Sequence, residues 1–180
     1  MTRLFHFSES GDIAHFVPRP VRTPASRAAE HEWLNGPLVW AIAEDHQRLY
    51  LFPRECPRIV MWAHAETSTA DRQAWLEDAA PGASAIAYIE DGWRDRVERA
   101  SIFRYELPGE GFTDLGDAGM HVSRAAVTPS DIAQIQDLHA ALAGSGTALK
   151  SMPSLRPLKS AWASSMHVSG IRLRNARDWT

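Results

Sequence analysis

The sequence predicts an α+β fold: a mixed or antiparallel β core of about six to eight short strands, with peripheral helices. Two observations carry that expectation. Short apolar runs of four to seven residues, rich in tryptophan and β-branched side chains, recur along the chain as half-buried strands prefer. Segments with helical periodicity are fewer and lie scattered between them. The 180 residues suit a single domain, 1–180, because domains cluster at about 100–150 residues and one core keeps growing to about 250.

Taken in order, Leu4-Phe5-His6-Phe7 is the first strand. A long connection follows from Pro18 to Gly36, carrying Pro18, Pro20 and Pro24; connections of this length in compact domains are often functional, and this one is read as a lid. Leu38–Ile42 is the second strand, and a helix over Glu44–Phe52 should end at Pro53. Arg58–Trp62 and Ala85–Ile89 are strands on either side of a helix over Ala70–Ala79 that packs through Trp75 and Leu76, and a short helical turn is expected over Asp91–Val97. Ser101–Leu107 alternates, with Phe103, Tyr105 and Leu107 on one face and Ile102, Arg104 and Glu106 on the other. A glycine-rich loop with Glu110, Asp114 and Asp117 leads to a strand at Met120–Ser123. The best helix signal runs from a Thr128 N-cap with Pro129 behind it, through Ile132, Ile135, Leu138 and Leu142, to a stop at Gly144. Val168–Leu173 is the last strand.

Composition excludes several classes. A net charge of -3 argues against a strongly basic nucleic-acid binder while leaving room for a local patch. One cysteine, Cys56, rules out an intramolecular disulfide and a cysteine zinc site. No signal segment and no apolar run of membrane-spanning length is present, so a cytoplasmic protein with no membrane partner is expected. The sequence has no Gly-rich phosphate loop, nucleophile elbow or His-Glu-x-x-His, and its eight histidines have no helical metal spacing, so no metal is expected.

Single residues then carry the functional reading. On β alternation His6 and Ser8 share a face at one strand end, where an imidazole and a hydroxyl could hold a ribose or carboxamide; the alternative is a histidine satisfied by a backbone carbonyl. Trp40 is either core packing or a stacking platform. Glu106 is either a cleft carboxylate or a solvent-facing partner of Arg104. Arg54 and Arg58, flanked by Pro53 and Pro57, could grip phosphate in bidentate fashion or pair with Glu55, Glu44 or Asp45. Cys56 is expected to be packed rather than nucleophilic.

The order of these features is a histidine-bearing strand, a loop, an aromatic-bearing strand entering a short helix, the Phe103-Arg104-Tyr105-Glu106-Leu107-Pro108 strand, and Val122-Ser123-Arg124 leading to Val127-Thr128-Pro129. It resembles the compact ADP-ribosyltransferase-like fold. The chain also looks like a bacterial family of uncharacterised proteins, through its Leu4-Phe5-His6-Phe7-Ser8 start and its Leu51-Phe52-Pro53-Arg54-Glu55-Cys56-Pro57-Arg58 segment. The first resemblance implies a strongly bent β core and NAD as substrate, with His6 on the ribose and Trp40, where tyrosine is usual, on the nicotinamide. The late-strand glutamate that stabilises an oxocarbenium-like ribose falls near Met120 or His121, so Glu106 would have to supply the carboxylate. Members of that fold acting on RNA 2′-phosphate use a histidine with arginines; Arg19, Arg54, Arg58 and Arg124 are available here.

The leading expectation is thus an NAD-binding transferase or glycohydrolase acting at the nicotinamide-ribose bond, with His6, Glu106 and His121 as catalytic candidates. His6, Ser8, Trp40, Arg54 and Arg58 would bind NAD, and the acceptor would be a protein or nucleic acid. The alternatives are a non-catalytic module for a nucleotide or a nucleic-acid end, and an unrelated small-metabolite enzyme using the His6/Ser8 face with Glu9 or Asp12.

Overall fold

The computed structural model describes residues 2–77, 79 and 81–179. Ten strands form two sheets among these residues: β1 Leu4–Ser8, β2 Val39–Ala43, β3 Arg58–Trp62, β4 Ala85–Glu90, β5 Ile102–Leu107, β6 Thr113–Asp114, β7 Met120–Ser123, β8 Asp131–Ile135, β9 Thr147–Met152 and β10 His167–Ile171. The α-helices are α1 Thr69–Leu76, α2 Arg94–Arg99 and α3 Leu138–Gly144, and 3-10 helices cover Ala29–Asn35, Glu44–Tyr50 and Arg156–Ala163 among others. No helix among the described residues is long and apolar enough to cross a membrane.

The chain divides into two compact units, Met1–Gln47 with Ile102–Gln134 and Arg48–Ser101 with Ile135–Thr180. In the first, a six-stranded sheet has the order β6-β7-β2-β1-β5-β8, and the pairs β1–β2, β1–β5, β2–β7 and β6–β7 are antiparallel. Leu4, Val39, Ala41, Ala43, Tyr105 and Leu107 bury one face of this sheet beneath Phe16 and Val127. The segment after β1 is held there by Tyr105, whose hydroxyl donates to Ser10 O at 2.8 Å and accepts from Ile13 N at 3.1 Å.

In the second unit β10-β3-β4-β9 form a four-stranded mixed sheet, with β3 antiparallel to both neighbours and β4 parallel to β9. Ile59, Met61 and Ile86 pack against Leu155, Leu158 and Ala161 of the C-terminal segment. Near-continuous apolar runs in β3 and β4 fit strands buried on both faces.

Seven of the strands coincide with the runs expected from sequence, and three were not anticipated: β6, β8 and β9. The largest correction concerns residues 128–144. Instead of one helix from Thr128, residues Asp131–Ile135 form β8 at the edge of the first sheet, and α3 starts at Leu138 behind a new N-cap, Asp137, which accepts from Ala140 N at 2.9 Å. The Thr128 hydroxyl is bonded instead to His15 Nδ1 at 3.0 Å. β5 offers an open backbone edge, Ser130 N donates to Glu106 O at 2.9 Å beside it, and the β-branched Ile132 and Ile135 suit a strand. The helix expected over Ala70–Ala79 is α1, capped by Ser68 through Asp71 N at 3.1 Å; Asp78, within the expected span, lies outside the described residues.

Candidate functional site

Strand register decides which candidates can meet. Leu4 pairs with Ala43 and Phe5 with Ile42, while Phe5 pairs with Glu106 and His6 with Tyr105. Alternation then puts His6 and Ser8 on the face of Leu4, Ala41 and Tyr105, and puts Trp40 and Glu106 on the opposite face with Phe5 and Ile42. His121 pairs with Ala41 and so shares the His6 face. His6 therefore leaves one face of the sheet, and Trp40 and Glu106 the other, so the three do not line one cleft.

His6 takes up a structural position. The β1–β2 ladder stops at Phe5, and the imidazole supplies the donor for the carbonyl of Trp40, Nδ1 lying 2.8 Å from that oxygen. A carbonyl only accepts, so Nδ1 carries the hydrogen. The ring packs on Phe16 at 4.6 Å between centroids. Ser8 Oγ accepts from Ser10 N at 3.1 Å in the following turn. His121 is held at the β7 start, its Nδ1 donating to Gly119 O at 3.1 Å and its Nε2 3.9 Å from Asp114 Oδ2.

Trp40 is packed with Leu34, Leu38, Val122 and Leu115, and its indole nitrogen is buried without a hydrogen-bond partner. Glu106 is paired with Arg3 rather than Arg104: Arg3 Nε and Nη2 reach its two oxygens at 3.1 and 2.6 Å, and Arg3 Nη1 reaches Glu44 Oε1 at 2.8 Å. The bidentate hydrogen bond from Arg3, aided by the charges of Arg3 and Arg104, holds the Glu106 carboxyl below its usual range against the opposing effect of desolvation. A carboxylate kept ionised with both oxygens engaged is a poor general acid.

Arg54 and Arg58 belong to the second unit. Arg58 is 2% exposed, its Nε donating to Leu49 O at 2.8 Å and its Nη1 to Cys56 O at 3.0 Å, with the guanidinium 5.6 and 5.0 Å from the ring centres of Tyr50 and Phe52. Burial lowers it to about 10. It anchors the loop before β3 and is not the exposed phosphate ligand expected from the sequence. Arg54 is exposed, with its carbonyl accepting from Arg172 Nε at 3.2 Å. Glu55 pairs with Arg172 and Arg174, at 3.6 and 3.5 Å. Cys56 is fully buried and desolvation pushes its thiol up to about 12, so it is packed and unreactive. Among the described residues no cluster of three or more His, Cys, Asp or Glu is placed to hold a metal ion.

The long connection builds a different feature. Asn35 ties it together, accepting from Ala25 N at 3.1 Å and donating to Ala25 O and Glu32 Oε1 at 2.9 and 3.1 Å. Arg19 and Leu38 exchange backbone hydrogen bonds at 3.3 and 3.2 Å, and buried Leu34 anchors the 3-10 helix. This leaves Trp33 37% exposed, with the Arg124 guanidinium 5.0 Å over its ring. Trp33, Gly36, Pro37, Leu38 and Arg124 line a groove of about 340 Å³. Arg124 was among the arginines available from sequence; Trp33 was missed, although an aromatic just before Gly36-Pro37 inside an expected lid is a usable signal.

Comparison with curated proteins and with solved structures finds no match. A family model described as "Family of unknown function (DUF6886)" matches residues 5–176, and the chain belongs to that family.

Proposed function

We propose that this chain binds a mononucleotide, without turning it over, in the groove lined by Trp33 and Arg124. The observation that carries the reading is the Arg124 guanidinium 5.0 Å over the ring of a partly exposed indole. A guanidinium lying over an indole can stack a base on its own outer face, and its planar donor fork can reach a phosphate at the rim. The groove, about 340 Å³, is at the small end of the ~300–1,000 Å³ of small-molecule sites. That suits one base with its phosphate better than a dinucleotide.

The ADP-ribosyltransferase-like reading shares the histidine-bearing first strand but needs His6, Trp40 and Glu106 around one ligand. Their separation onto two sheet faces, and the capture of Glu106 by Arg3, do not fit NAD as a substrate. The geometry therefore favours the non-catalytic member of the alternatives.

The test is a thermal melt of the native, Trp33→Ala and Arg124→Ala chains with millimolar AMP, ADP or NAD. AMP should raise the native Tm, as any ligand of the folded state does, and each variant should weaken binding about tenfold or more. No shift in the native chain, or a shift surviving both substitutions, sinks the groove. Nicotinamide released from NAD restores the transferase reading.

A further inference from the structure

Charge is unevenly distributed along the chain. Thirteen basic and 21 acidic residues occupy positions 1–137, whereas positions 138–180 hold six basic residues and one acid, Asp178. The six are Lys150, Arg156, Lys159, Arg172, Arg174 and Arg177. Glu55 offsets Arg172 and Arg174, leaving Arg156, Lys159 and Arg177 as the exposed cations around the C-terminal segment.

The same segment carries an aromatic pair, with Lys159 in contact with one of its rings. Trp162, on the 3-10 helix Arg156–Ala163, is 46% exposed, and its six-membered ring rests against Gly170 of β10. A Cβ at Gly170 would lie 3.0 and 3.1 Å from two atoms of that ring and 2.4 Å from the Leu173 Cδ1, so a side chain there would have to displace its neighbours. Trp179 stands 5.9 Å away at 60°, with Lys159 Nζ 5.0 Å over its ring. Ser154 Oγ donates to Arg177 O at 3.3 Å, which brings Arg177 to the start of the same helix.

We infer that this surface of the second unit binds single-stranded nucleic acid, with Trp162 stacking on a base and Lys159, Arg156 and Arg177 taking the flanking phosphates. The inference does not rest on the Trp33–Arg124 groove. A half-exposed indole, next to a second indole under a lysine and on a segment that also carries exposed arginines, is a combination that binds unpaired bases with little sequence preference. Duplex bases have their faces covered by their neighbours. An anionic membrane would need a wider apolar wedge, and Trp162 is the one large exposed apolar side chain described in this unit.

The test is a fluorescence-anisotropy titration of an oligothymidylate of about 15 nucleotides with the full chain, at about 50 and 200 mM salt. The native chain should bind the single strand more tightly than a duplex, with tryptophan emission quenched. Trp162→Ala should weaken binding about tenfold while Trp162→Phe, which keeps a stacking face, recovers most of it. Lys159→Ala should flatten the salt slope by about 0.7. Circular dichroism checks that each variant is folded. No binding by the native chain, equal binding of duplex, an unchanged Trp162→Ala chain that is folded, or uptake by phosphatidylserine vesicles without oligonucleotide binding each overturns the inference.

Discussion

The Nδ1 hydrogen of His6 goes to the Trp40 carbonyl, and that hydrogen bond ties two candidate residues together by backbone rather than through a ligand. With His6 in this structural position, its loss becomes a question of stability. His6→Ala leaves the Trp40 carbonyl without its donor at a partly buried position, which should cost about 1–3 kcal/mol in chemical denaturation. AMP affinity at the groove should be unchanged; a variant with native stability and lost AMP binding contradicts both assignments. The sequence offered this backbone role for His6 as one of two alternatives. What it lacked was the register, which puts Trp40 on the far side of the sheet from the His6 ring. Arg58 is a similar case. Its place between Pro57 and Ile59 says nothing of the Leu49 and Cys56 carbonyls and the two rings that hold it inside.

At the scale of elements, short strands were legible because four or five consecutive apolar residues with β-branched or aromatic members leave few other options. The segment after Thr128 was not, because Ile132, Ile135, Leu138 and Leu142 fit a helical stripe, and only pairing beside β5 shows that the first two serve a strand. The turn into β7 gives a sharper test. Gly119 has φ +70°, its carbonyl accepts both Ala43 N and His121 Nδ1, and an added Cβ would lie 2.8 Å from His46 Nδ1. Gly119→Ala should therefore destabilise by about 1–3 kcal/mol, from left-handed strain and the displaced imidazole together. Equilibrium unfolding in urea measures this, and a neutral result contradicts the turn geometry.

At the scale of the whole molecule, three carboxyls among the described residues are held below their usual range: Glu106 chiefly by Arg3, Asp71 by the Ser165 hydroxyl and amide, and Glu55 by Asn175. Their unfolded values lie near 4. A carboxyl depressed in the folded state contributes stability that is full above the unfolded value and is lost as pH falls through the folded one. Melting temperature should accordingly drop as pH is lowered from about 5 toward 2. Asp71→Asn, which removes the negative charge from the group that accepts from Ser165 N and Oγ at 2.8 and 2.6 Å, should melt lower than the native chain at pH 6 and converge with it near pH 2. A constant gap across the series places the effect in packing rather than in ionisation.

The sequence by itself determined the α+β class, seven of the strands and the impossibility of an internal disulfide, because apolar runs and cysteine count act locally or by number alone. Only the tertiary structure decided which strands pair, and hence which face each candidate occupies. His6 and Trp40, or Glu106 and the side chains of the opposite face, are separated by a single residue of register, and register is set by pairing between segments distant in sequence, as Leu4 is from Leu107. The Trp33–Arg124 groove has the same origin: its two key residues are distant in sequence, and the folded connection brings the guanidinium over the ring.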